Sequence, residues 1–343
     1  MAPFISGIEL NRGFYNDVVA PIVASWTHSA ALLGVGSDVL GYDTERSTDH
    51  GWGPRLAVFL AAPDVDAARA AIDASLPETY CGWPVKYGWD NRPIAHHVHV
   101  QTLEHWMRDH LGFDPSCNIA TADWLVTPQQ LLLEQVRGAV YNDGLGTLEP
   151  LREKLAYFPD DVWRWMLACQ WQRVGQEEPF VGRTSELEDE IGSRILAARI
   201  ARNVMQLWFL YERTYWPYTK WFGFAFGQLP GALSLRTHLD EAIDAPDFAS
   251  RERALVAAYE CVARRHNAAA LTEPLDATVR PFHNRPFRVI GAERFAIACR
   301  ATVPDEQLRA LPLVGSIDQF VDSTDVLANP VVARRLRALY EPT

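Results

Sequence analysis

The chain has 343 residues, more than one hydrophobic core usually supports, so its length favours two domains. Nearly half of it is apolar and the 22% that is charged mixes both signs without blocks, which argues against a disordered charged tail. A formal net charge of -11 argues against a protein that wraps extended nucleic acid, because that mode needs a basic footprint.

Leu10, Phe14, Val18 and Ile22 recur at four-residue spacing and predict an amphipathic helix, bent near its end by Pro21. The opening residues lack a basic stretch followed by an apolar one, and no apolar run approaches the ~18 residues of a membrane span. A cytoplasmic location with no membrane partner is expected. Residues 30–36 form a short apolar run broken by glycine, a buried strand entering a tight turn. A second strand is predicted over 55–60, a helix over 65–74, further strands over 84–87 and 96–100, and a helix over 103–111. This order predicts a mixed α/β domain over residues 1–115.

Beyond residue 115 helical patterns dominate: 160–174, 185–214, 251–267 and 331–340. Residues 116–343 are therefore expected to form an all-α helical domain closing a cleft. Ser185 and Glu188 read as a capping box, followed by Ile191, Ile195, Ile200, Val204 and Leu207 as a buried stripe. Most of the many aromatic residues here are expected in the core, with a minority available to line a pocket. The five cysteines are widely spaced without a CxxC and read as reduced thiols. No pattern speaks to oligomeric state.

The chemically informative segment is Leu33-Gly34-Val35-Gly36-Ser37, followed after eleven residues by Asp49-His50-Gly51-Trp52-Gly53-Pro54-Arg55. Glycine after a strand lets the backbone approach phosphate oxygens, and the next serine adds a hydroxyl and a backbone donor. An acid opening the following strand then holds a divalent ion against those phosphates. His97 and His99 share a strand face at i, i+2 spacing; with Asp49 and His50 they offer a nitrogen and oxygen set suited to zinc, manganese or iron. The alternative is that these histidines are hydrogen-bonded or surface groups.

The stretches Gly36-Ser37-Asp38-Val39-Leu40-Gly41-Tyr42-Asp43, Glu45-Arg46-Ser47, Asp49-His50 and Trp52-Gly53-Pro54-Arg55 carry a resemblance that continues through Arg108-Asp109-His110-Leu111-Gly112-Phe113-Asp114-Pro115, Gly182-Arg183, Tyr218-Thr219-Lys220-Trp221, Arg285-Pro286-Phe287 and Gly315-Ser316-Ile317-Asp318-Gln319. On these residues the chain resembles the nucleotidyltransferase superfamily, and more closely a bacterial family known as domain of unknown function 4037. The resemblance implies an α/β nucleotidyltransferase-like N-terminal domain in which Gly36, Ser37, Arg46 and Arg55 bind a nucleoside triphosphate. It places Mg²⁺ or Mn²⁺ on Asp49 as a catalytic residue; Lys220, set in an aromatic run, is a second catalytic candidate because a lysine there could meet a phosphate or carboxylate. Lys220 reads equally as a snorkelling surface lysine. The transfer reading, motivated by Gly36, Ser37 and Asp49, is movement of a nucleoside monophosphate from a triphosphate to a small-molecule acceptor.

One departure matters. The superfamily pattern expects Asp-x-Asp where this chain has Asp49-His50-Gly51, one carboxylate short. Asp38, Asp43 and Glu45 are the nearby candidates to replace it, and Asp189 or Glu190 is a candidate acceptor-activating base. Three expectations follow: a transfer enzyme, a degenerate nucleotide or ligand binder, and a cleft repurposed for specialised biosynthesis through the histidine-rich metal site.

Overall fold

Ser6 opens the first helix, α1 (Gly7–Phe14), its hydroxyl accepting from the Glu9 N–H. The helix continues through a π-helical stretch, Tyr15–Val19, into α2 (Ala20–Val23), where Pro21 sits in the first turn. The wider π turn displaces the apolar stripe by one residue. Leu10 and Phe14 are buried as their spacing predicts, but Val19 and Val23 then take the core positions and Val18 and Ile22 only flank it. The structure, a computed structural model, describes residues 4–89 and 92–341.

After β1 (His28–Leu32) the chain turns through Gly34 and Gly36 into α3 (Ser37–Leu40) and returns as β2 (Arg55–Leu60). Helix α4 (Val65–Ser75) follows, then a small two-stranded ladder of β3 (Thr79–Tyr80) and β4 (Trp83–Pro84). Next come β5 (Lys86–Tyr87), β6 (Ala95–Gln101) and α5 (Leu103–Leu111). Farther on are α6 (Thr121–Val126), α7 (Gln129–Val136), β7 (Ala139–Asp143) and α8 (Leu148–Lys154).

The five-stranded sheet has the order β5-β6-β2-β1-β7. β1 pairs antiparallel with β2 and β7, β5 antiparallel with β6, and β2 parallel with β6, with α4 in the crossover. β7 lies beyond residue 115, where the sequence pattern shows few strands. Leu56, Val58, Leu60, Val98 and Val100 cover one face and pack on Phe14, Val19, Val23, Ala68 and Ile72 to form the core. The alternate residues of β2 and β6 stand side by side on the other face, Arg55 opposite His97 and Ala57 opposite His99. The sheet belongs to a compact unit comprising the described residues up to Ile119 together with Gln130–Ala156 and Ala328–Arg334.

The second unit holds Ala120–Gln129, Tyr157–Leu327 and the described residues from Arg335 on. It is built on α9 (Asp160–Ser185), α10 (Glu190–Tyr211), α11 (Thr219–Phe226), α12 (Ala232–Asp244), α13 (Phe248–Ala268) and α14 (Glu293–Ala301). α9 runs past residue 174 to Ser185, so Ser185 ends one helix rather than opening the next. The cap of α10 is Asp189, whose carboxylate accepts from the Gly192 N–H at 2.8 Å. Glu188 holds a left-handed φ of 58°, which separates the two helices. Ile191 and Ile195, expected in the buried stripe, are 73% and 57% exposed; Ala197, Ile200, Val204 and Leu207 carry the buried face.

Trp163, Trp165, Trp171, Trp208, Phe209, Tyr211, Tyr215, Trp216 and Phe226 are core residues, while Tyr218 and Phe224 are exposed. The predicted helix over 331–340 splits into an α turn, Pro330–Ala333, and a 3-10 stretch, Arg334–Tyr340. Among the described residues no helix is long and apolar enough to cross a membrane.

Candidate functional site

The turn after β1 is held from two sides. The Gly34 N–H donates to the Glu134 carbonyl of α7 at 2.9 Å, which pins the turn to that helix. Below Gly36 lies an ion pair: Arg55 donates from Nε to Asp38 Oδ2 at 2.9 Å and from Nη2 to Oδ1 at 2.7 Å. Gly36 has a φ of 149°, and a Cβ there would collide with both the Asp38 carboxylate and the Arg55 guanidinium. Glycine is thus required at 36 by the pair beneath it. Burial opposes the Arg55 charge, and the Asp38 carboxylate more than restores it, so Arg55 titrates above its ordinary value.

The sequence-predicted residues are placed as follows. Ser37 is half-buried in the first turn of the four-residue α3. Arg46 is exposed on a 3-10 turn, Glu45–Asp49. Asp49 ends that turn instead of opening β2, which starts at Arg55; the expectation of an acid on the strand is corrected accordingly. Asp49 and His50 are both exposed and contact each other, Oδ1 to Nδ1, at 2.7 Å. Two of the three candidate replacement acids serve the scaffold. Asp38 holds Arg55, and Asp43 accepts from the Gly7 N–H at 2.6 Å and the Trp52 indole at 2.9 Å, fixing the start of α1. Glu45 is exposed at the head of the 3-10 turn.

Gly51, where the second acid is missing, has a left-handed φ of 63°, and a Cβ there would rest 3.5 Å from the Trp89 ring. Gly53 similarly lies against Tyr87. The loop backbone is laid on these two rings.

His97 and His99 share the polar face of the sheet, with ring centres 6.4 Å apart. His96 faces the opposite side and meets Asp73 of α4 at 2.7 Å, as the alternation predicts. His97 Nε2 lies 3.0 Å from the Tyr87 carbonyl, and its ring is 4.3 Å from that of Tyr87. His110 of α5 stacks on Trp106 at 3.9 Å. Burial, reinforced by His97 and Arg55, pushes His99 down to about 4, and burial is also the leading cause that lowers His97 and His110. These imidazoles are neutral at physiological pH. Among the described residues no group of three or more His, Cys, Asp or Glu is arranged to hold a metal ion. Asp49 with His50 and His97 with His99 stand as two pairs, not one ligand set.

Glu134 went unnoticed in the sequence. It is 3% exposed, and only one of its oxygens, Oε1, has a partner among the described residues, the Gln130 amide at 2.8 Å. Burial pushes it up to about 7, with Gln130 and Arg55 pulling the other way. The signal was one carboxylate inside the apolar run Leu131-Leu132-Leu133-Glu134, which reads as a helix interior. A concavity of about 340 Å³ opens beside the outer edge of β6, lined by Arg69, Asp73, His96, Val98, Val100 and neighbours; Ser37 and Asp49 are not part of its wall.

In the second unit Lys220 is exposed, its ammonium 5.1 Å from the centre of the Trp221 ring. Asp189 is a helix cap and Glu190 pairs with Arg251 and Arg194, so both proposed bases have structural partners. Arg285 contacts Glu186 at 2.5 Å. The Gly315-to-Gln319 stretch is a buried turn: Gln319 donates to the Met166 carbonyl and to Gln170, and Asp318 accepts from the Gln129 N–H.

A family model described as Domain of unknown function (DUF4037) matches residues 124–222. The matched segment includes α7 with Glu134 and reaches Lys220, whereas Gly36, Ser37 and Asp49 lie outside it. A search of curated proteins and a search of solved structures found no match.

Proposed function

We propose that the first unit is a nucleotidyltransferase-like scaffold that binds a nucleoside triphosphate at the Gly34-to-Ser37 turn without transferring its nucleotidyl group. The order helix, strand, Gly-Ser turn, strand, helix and parallel strand supports the scaffold. The observation that carries the second half is the use of Asp38: both its oxygens are bonded to Arg55 at 2.9 and 2.7 Å.

Metal-dependent transfer needs carboxylates converging on an ion that bridges the phosphates. The donor set does not fit that need. Asp38 and Asp43 are engaged by the scaffold, Asp49 is paired with His50 outside the strand, and Gly51 supplies no side chain. Phosphate binding then rests on backbone N–H groups of the turn after Gly34, whose own N–H is bonded to the Glu134 carbonyl, and on the Ser37 hydroxyl.

Isothermal titration with ATP, GTP, CTP and UTP, each with Mg²⁺ or Mn²⁺, tests the reading alongside a pyrophosphate-release assay. Heat with at least one nucleotide, weakened by Ser37→Ala, and no pyrophosphate above background are expected. Absence of heat with all four removes the nucleotide reading; sustained pyrophosphate release removes the claim that transfer is lost.

A further inference from the structure

The outer face of α10 leaves apolar side chains in water. Leu187 in the turn before it and Ile191 and Ile195 on it are 79%, 73% and 57% exposed, and Ala198 is exposed as well. Steps of four and three residues put Ile191, Ile195 and Ala198 on one helix face. Ala197, Ile200, Val204 and Leu207 already supply the buried face, so this row is surplus to the core. Phe180, near the end of α9, is exposed too. Apolar residues scattered singly over a surface need no reason, but a continuous row marks a contact surface.

The charges flanking the row say what fits it. At its N-terminal end Glu186 is paired with Arg285, Glu190 with Arg194 and Arg251, and Arg183 is turned onto the Phe180 ring at 5.8 Å. Glu188 and Asp189 have no cationic partner among the described residues; Asp189 only caps the helix through the Gly192 N–H. At the other end Arg199 and Arg202 stand four and seven residues beyond Ile195 on the same face, and Arg173 of α9 feels both. Glu177 takes Arg199 and Asp322 takes Arg202, so three guanidiniums meet two carboxylates and positive charge is left over. The row is therefore negative at one end, apolar in the middle and positive at the other, a pattern complementary to its own reverse.

We infer that α10 pairs antiparallel with α10 of a second copy of this chain, about a two-fold axis near Ile195. Such an axis makes one patch serve both copies. Ile191 and Ala198 lie four and three residues either side of Ile195, so Ile191 of one copy packs on Ala198 of the other. Glu188 and Arg202 lie seven residues either side, so each acidic turn meets the arginine end of the other helix. A parallel pairing would instead set Glu188 and Asp189 against their own copies.

Sedimentation velocity on the full chain from about 1 to about 200 µM tests this. The mass is expected to rise with concentration toward twice that of the chain. Ile195→Lys alters an exposed side chain, so it should keep the circular dichroism and melting temperature while holding the mass at one chain throughout. Glu188→Arg and Arg202→Glu should each weaken self-association about tenfold, because each puts like charges together twice across the axis. An equimolar mixture of the two variants should regain the unaltered affinity, since both crossings then join opposite charges. The inference falls if the unaltered protein stays a single chain over the whole range, if Ile195→Lys associates as before, or if mixing restores nothing. The concentration series on the unaltered protein decides the matter should a variant misfold.

Discussion

Asp38 sits beneath the turn with 1% of its surface exposed and both oxygens on Arg55. Removing one partner of such a pair leaves the other charge buried and uncompensated, which costs about 3–5 kcal/mol. Asp38→Asn should therefore lower the unfolding free energy by about that amount in urea titrations. Replacing both partners by apolar residues, Asp38→Leu with Arg55→Met, should recover much of the loss, since buried pairs are often no better than hydrophobic isosteres. A single-variant cost below about 1 kcal/mol would show that the pair is solvated rather than buried. Gly36 illustrates what residue patterns leave hidden. A glycine followed by serine was legible as a special backbone position, but its neighbour in space, Arg55, is nineteen residues away in sequence. Spacing along a strand could not show that Asp38 would meet that arginine.

Helix α10 takes its start from Asp189, not from Ser185. An N-cap carboxylate satisfies an otherwise unpaired backbone donor and favours the positive end of the helix dipole. Asp189→Ala should cost about 1 kcal/mol in unfolding free energy and Ser185→Ala only a few tenths; the reverse ranking would return the cap to Ser185. The strand over 55–60 and the helix over 103–111 were legible to the residue, because alternation and three-to-four periodicity report directly which side chains are buried. Other elements were hidden for specific reasons. Ser185 and Glu188 have capping-box spacing, but Ser185 ends α9 and the left-handed Glu188 separates it from α10. β7 has five half-buried residues of mixed polarity at the edge of the sheet, so it shows no alternation. The π stretch in the first helix shifts its stripe by one position, which a fixed period cannot register.

Across the whole molecule, buried titratable groups act on stability in opposite directions. Burial pushes Glu134, Glu178 and Asp318 up to about 7, and pushes His99 and His266 down to about 4. Between about pH 4.5 and 6.5 the folded carboxyls keep protons that the unfolded chain has released, so their contribution to stability declines as pH rises. The folded histidines lack protons that the unfolded chain has bound, so theirs grows with pH over the same window. The opposing slopes offset one another in part, so the profile of the whole protein conceals the size of each. Single variants should expose them. Asp318→Asn keeps a side-chain acceptor for the Gln129 N–H and removes one declining contribution. Its stability relative to the unaltered protein should climb by about 1.4 kcal/mol per pH unit from about pH 5 to 6.5 and level off above about pH 7. His266→Gln loses contacts to Tyr211 and Thr272, so its stability drops overall, yet its deficit should widen as pH rises through the same range. Urea titrations at half-unit pH steps would read both slopes. Curves for Asp318→Asn and the unaltered chain that ran parallel would mean that the Asp318 carboxylate is ionised in the folded protein, and that the Gln129 N–H and its surroundings stabilise the charge that burial opposes.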